Sequence, residues 1–110
     1  MIVRLRVEFA HAASNPMAGI LIRNRLGVDV FGTNTRVENV PLGECQAGQR
    51  VEVNFRIACL LTRQEYTLTV AVQHSHGASM DWVDDVLSFT VTGDKDHAGL
   101  AALPARIEAQ

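Results

Sequence analysis

Residues 27–36 read GVDVFGTNTR, and whether they close a strand or open a phosphate cradle decides the fold. Val28 and Val30 alternate with Asp29, as half-buried strands do, and the run then ends in Gly32-Thr33-Asn34-Thr35. A phosphate cradle needs glycines that lead into a helix N-terminus, and no helical pattern follows here. Just upstream, ILIRNRLGVDVF (residues 20–31) is two apolar runs joined by Asn24-Arg25-Leu26-Gly27, with Gly where a positive φ is wanted. That is the pattern of a β-hairpin with a G1-type bulge. The GTNT stretch is therefore the far end of the second strand.

The same period of two recurs along the chain. VRLRVEF (3–9), VEVNFRI (51–57) and YTLTVAV (66–72) each put apolar residues on one face and polar ones on the other. GILIRN and DDVLSFTV are shorter runs. Six strands are expected, at about 2–9, 18–24, 28–34, 50–60, 65–74 and 84–92, with no amphipathic helix before residue 93. This spacing predicts an all-β, antiparallel sandwich. Its expected core is Val3, Leu5, Val7, Phe9, Ile20, Ile22, Val53, Phe55, Ile57, Leu68, Val70, Val72, Leu87, Phe89 and Val91. In the tail AGLAALPARIEAQ, Pro104 stops any longer helix, so a loose segment or short strand is expected.

At 110 residues the chain fits one domain, and 47% hydrophobic with 20% charged residues places it among globular rather than disordered chains. A net charge of −2 and arginines scattered singly argue against a nucleic-acid partner. No apolar run is long enough to insert in a membrane, and MIVRLRVEFA is too short and too charged for a signal peptide. Cys45 in a polar loop and Cys59 in an apolar strand read as free thiols of a reducing compartment.

HSHGASMDWVDD (74–85) is the stretch richest in reactive side chains. His74 and His76 face the same way on an extended chain, and His11 is a possible third ligand, but a zinc site needs three or four. The expected reading is a solvated loop with no metal and no cofactor. Asp84 and Asp85 would point to opposite faces of a strand and so cannot flank one glycosidic bond. The serines lack a nucleophile elbow and there is no Walker motif, so no catalytic residue is expected. Trp82 has two readings: a plug at one end of the sandwich, or a stacking surface for a sugar ring or a partner side chain. Tyr66, opening a strand after the corner in LLTRQEYTL, fits a tyrosine corner and a structural role.

Together NPMAGILIRNRLGVDVFGTNT, VEVNFRI, EYTLTVAV, DWVDDVLSFTV and the closing GLAALPARI resemble the C-terminal domain of Wzt-type ATP-binding subunits, the ABC exporters of O-antigen polysaccharide in Gram-negative bacteria. The resemblance runs from about residue 3 to 107. It implies an immunoglobulin-like β-sandwich appended to a cytoplasmic ATPase, which docks on a membrane-spanning transporter subunit at the inner membrane. The domain would recognise the finished polysaccharide without catalysing a reaction, and would form a homodimer by exchanging a C-terminal strand, placed here in residues 93–110. A structural dimerisation domain without glycan affinity is the alternative. The ATPase half is absent, an edge strand before Met1 is expected to be missing, and Gln64 stands where the family usually has Gly. In this setting Gly32 is expected to permit a bend and Asn34 to bond local backbone.

The glycan is expected on the outward face of the sheet holding strands 18–24, 65–74 and 84–92. That face presents Arg23, Thr67, Thr69, Gln73, Ser88 and Thr90. Arg23 and Gln73 are the first candidates for sugar contact, Trp82 the next, with Thr69 and Ser88 beside them.

Overall fold

The computed structural model describes residues 1–76 and 78–109; Gly77 of the histidine stretch and Gln110 of the tail lie outside the described residues. Among the described residues eight strands follow in order: β1 (Ile2–Glu8), β2 (Ala13–Ser14), β3 (Met17–Asn24), β4 (Asp29–Asn34), β5 (Glu44–Cys45), β6 (Arg50–Arg56), β7 (Glu65–Gln73) and β8 (Ser79–Thr90). There is no helix among the described residues. One sheet has the order β4-β3-β7-β8, a second is the pair β1-β6, and β2-β5 forms a small third ladder. Every pairing is antiparallel. The all-β sandwich expected from the alternation, in the immunoglobulin-like form that the resemblance implies, is what the chain forms.

The β3–β4 hairpin closes as its residues predict. Gly27 has φ of 80° and its N–H donates to the Asn24 carbonyl at 3.0 Å. The Asn24 side chain accepts from the N–H groups of Leu26 and Val28, both at 3.0 Å, which fixes the loop from inside. At the other end of β4, Asn34 Oδ1 accepts from the Val37 N–H at 2.8 Å, the local bond expected of it. Gly32 serves differently from expectation. Its φ is not positive; instead a Cβ there would lie 3.1 Å from Leu21 Cδ1 and 3.3 Å from the Ile20 carbonyl, so close approach of β3 is what favours glycine.

Ile20, Ile22, Phe55, Tyr66 and Leu68 form the buried centre between the two larger sheets. Phe9, Ala13, Cys45 and Val72 form a second cluster under the β2-β5 ladder. Tyr66 is fully enclosed, and its hydroxyl donates to the Thr62 carbonyl at 2.7 Å, the bond of a tyrosine corner. Gln64, at the corner, donates to Thr62 Oγ1 at 2.7 Å.

Four expectations need correction. Leu87 is 49% exposed rather than core, because β8 is an edge strand and only two strands lie opposite the four-stranded sheet. β6 ends at Arg56, not residue 60: the Ile57 N–H still reaches the Met1 carbonyl, but past it the Leu60 N–H bonds to the Ala58 carbonyl at 2.9 Å and the chain turns out of the strand. Cys45, expected in a polar loop, is buried in the second cluster, whereas Cys59 is exposed past the end of β6; both are free thiols. Finally β8 begins at Ser79, so much of the stretch read as a loop is strand.

Past β8 the chain returns along the sandwich and pairs once, Leu61 with Ala101, flanked by bonds from Thr62 N–H to the Leu100 carbonyl and from Ala102 N–H to the Leu60 carbonyl. It then leaves the body: Leu103 is 64% and Ile107 94% exposed. The radius of gyration is 16.7 Å and the longest extent 62 Å, against about 13 Å of gyration for a compact chain of this length.

Candidate functional site

In the four-stranded sheet, Ile20, Ile22 and Leu68 turn to the core, so alternation sends Leu21, Arg23, Thr67, Thr69, Ala71 and Gln73 to the other face. The register sets Arg23 beside Thr67 and Thr67 beside Ser88; one row further, Leu21 lies beside Thr69; then Gly19 beside Ala71 and Ala71 beside Trp82. In the row of Trp82, Gly19 and Ala71 carry little or no side chain, so the surface beside the indole is shallow.

β8 departs from simple pairing where this face is most polar. Leu68 faces Leu87 and Val70 faces Val83, which leaves Thr69 alone opposite Asp84, Asp85 and Val86. Asp85 takes φ of 48° to accommodate the surplus. Because of this bulge, strict alternation fails at the Asp pair. Asp84 Oδ1 becomes a junction. It accepts from Trp82 Nε1 at 2.9 Å, from Arg23 Nη1 at 3.0 Å and from Thr69 Oγ1 at 3.3 Å. Arg23 Nε donates to Asp29 Oδ1 at 2.9 Å, so the guanidinium is held between carboxylates of β4 and β8. The Asp85 N–H donates to Thr69 Oγ1 at 3.1 Å and ties the bulge to β7.

These bonds set the ionisation of the site. The indole N–H of Trp82 and then the Arg23 guanidinium hold the Asp84 carboxyl below the usual carboxylate range. Bonds to Asp29 and Asp84 keep Arg23 charged. Next to the junction, at the hairpin end of the face, lies a depression of about 310 Å³ lined by Arg23, Asn24, Arg25, Gly27, Asp29, Thr67 and Asp85.

Of the residues expected to touch sugar, Arg23, Thr69 and Trp82 converge on this network. Thr69 is 1% exposed, against the expectation of an open hydroxyl: Arg23 and Asp84 cover it, and it supports the network rather than facing solvent. Trp82 is 46% exposed on the outward face, so it does not plug the end of the sandwich. Ser88 lies in Arg23's row, two strands away, with no hydrogen bond to the network. Gln73 sits four residues along β7 from Thr69, about 13 Å away at strand rise, and is not part of it. Asp29 was missed, and Asp84 was weighed only as one of a catalytic carboxylate pair, not as a partner of Arg23 and Trp82. The available signals were an arginine on a sheet face that needs a counter-charge, and an aspartate two residues after the tryptophan, where a strand presents both on one side.

A second feature lies between the sheets. A groove of about 580 Å³ separates β1 from β7 and β8, with Leu5, Val7, Phe9, Val70 and Val83 along it and His11, His74 and Asp81 among its polar lining. His74 and His76 stack with ring centroids 5.1 Å apart. No group of three or more His, Cys, Asp or Glu that could hold a metal ion occurs among the described residues. No helix of the described residues is long and apolar enough to cross a membrane.

Among curated proteins none matches the chain in sequence. Among solved structures, the fold is similar to a crystal structure of the C-terminal domain of Wzt, with a TM-score of 0.89 and 19% sequence identity, covering 99% of this chain and 69% of that one. The family model of the Wzt C-terminal domain matches residues 1–103, and the chain belongs to that family.

Proposed function

We propose that this domain is a non-catalytic carbohydrate-recognition module that selects O-antigen polysaccharide for an ABC exporter. The observation that carries the proposal is the Trp82–Asp84–Arg23 network: an aromatic ring, half exposed, held by its own N–H beside fixed polar groups on a shallow sheet face. Sugars offer a C–H face that stacks on an aromatic ring and hydroxyls that bond to fixed acceptors and donors. Each such hydrogen bond replaces a bond to water and nets about 0.5–1.5 kcal/mol. With one ring available, a single face binds in the range of about 10 μM to 1 mM. Family membership supports the setting: attachment to an ATPase domain, contact through it with a membrane-spanning subunit, and a place on the cytoplasmic side of the inner membrane. Calorimetric titration with purified long-chain O-polysaccharides tests this. Saturable binding is expected; no heat with any chain would count against it.

A second reading, a dimerisation domain without glycan affinity, is favoured by one specific pairing of features. The groove beside β1 leaves apolar residues of the sandwich uncovered, and the tail carries Leu103 and Ile107 away from its own body. Exchange of such a segment between two copies is a low-cost route to a symmetric dimer. The two readings are compatible, since a dimer holding a long chain on two faces gains avidity. Deleting residues 97–110 is expected to give a monomer by light scattering; an unchanged dimer would remove the exchange.

A further inference from the structure

Building on the proposed sugar-binding face, we infer that it takes an uncharged polysaccharide and discriminates against chains bearing carboxylate or phosphate groups. The cation that would attract an acidic sugar is already engaged. Arg23 gives Nε to Asp29 at 2.9 Å and Nη1 to Asp84 at 3.0 Å. An incoming anion would meet a guanidinium whose charge two carboxylates already offset, could reach it only through Nη2, and would be repelled by Asp29 and Asp84 beside it. Arg25 does not change the balance: at the depression and the junction, two cations, Arg23 and Arg25, stand against three carboxylates, Asp29, Asp84 and Asp85.

The acceptors, by contrast, are only partly used. Every hydrogen bond to Asp84 and Asp29 from the described residues falls on Oδ1, which leaves Oδ2 of each for an outside donor. An ionised carboxylate only accepts, and a neutral sugar's hydroxyls donate. The same conclusion follows at Trp82. Its N–H is committed to Asp84, so the part it offers to a ligand is its π-face, which carries negative potential and suits C–H groups rather than anions. Charge selection and stacking thus favour one class of chain.

The test uses the domain as it stands against an array of purified bacterial O-polysaccharides, some neutral and some bearing uronate or phosphate. One neutral binder is also compared with the same chain after oxidation of its primary alcohols to carboxylates. Neutral chains are expected to bind about tenfold or more tighter than acidic ones, with little dependence on salt. The double variant Asp29→Asn, Asp84→Asn releases Arg23 and is expected to narrow that ratio by raising acidic binding. Tighter binding of acidic chains by the unaltered domain, lost on Trp82→Ala, would overturn the inference while leaving the face intact as the sugar site. Failure of every polysaccharide to bind would overturn the proposed function itself, and this inference with it.

Discussion

Removing one oxygen from Tyr66 is expected to loosen the corner and the start of the tail together. The Tyr66 ring is fully enclosed, stacked on Phe89 at a centroid distance of 5.6 Å, and Phe fills the same space, so Tyr66→Phe leaves packing unchanged. What is lost is a hydroxyl that donates to the Thr62 carbonyl at 2.7 Å and lies 3.1 Å from Thr62 Oγ1. Thr62 is 3% exposed, so water cannot readily replace the donor. A typical hydrogen bond nets about 0.5–1.5 kcal/mol, and leaving a buried acceptor unpaired costs about 1–3 kcal/mol. Because Thr62 Oγ1 keeps its bonds to Gly99 and Gln64, the expected loss is at the lower end of the second range, about 1–2 kcal/mol. Urea unfolding monitored at Trp82 should show a lower midpoint with an unchanged slope. Amide exchange should quicken at Thr62 and Ala102, whose N–H groups bond to Leu100 and Leu60. A variant within about 0.3 kcal/mol of the parent would refute the corner as a determinant of stability, since that lies below the smallest net worth of such a bond.

Phe55→Ala empties the centre of the main cluster and is expected to cost about 3–5 kcal/mol, seen as a large fall in the denaturation midpoint. Gly27→Ala is expected to destabilise by about 1 kcal/mol or more because φ of 80° disfavours a Cβ, whereas Gly27→Asn should recover most of the loss. Asp84 has a lowered folded pKa, so its stabilising contribution is present above the ordinary carboxylate value of about 3.9 and disappears as pH falls through the lower folded value. The stability gap between the parent and Asp84→Asn should therefore be widest near neutrality and close in acid; a gap independent of pH would contradict the assignment.

The parts of the fold legible in the sequence were those whose pattern is local. Val3, Leu5, Val7 and Val51, Val53, Phe55 alternate without interruption, and β1 and β6 pair in that phase. Gly27 and Tyr66 each announce a local geometry that one residue type satisfies best. What escaped depended on distant partners. Leu87 has the right phase for the core, but its exposure is set by how many strands stand opposite β8. The site was half legible for the same reason: Arg23, Thr69, Trp82 and Asp84 share one outward strand phase, while the bulge that sets three residues of β8 opposite Thr69 is one that alternation cannot foresee. Gln73 and Ser88 share the face, but phase says nothing of distance along it.

The central claim is that the Trp82–Asp84–Arg23 network is where the chain meets polysaccharide. Its most direct test is the affinity of Trp82→Ala and Asp84→Ala for an O-polysaccharide that binds the parent, measured by calorimetry beside a melting curve for each variant. Both should bind about tenfold or more weakly, with Trp82→Ala melting close to the parent because its ring is half exposed. Binding equal to the parent in both folded variants would contradict the claim and place the polysaccharide elsewhere on the domain.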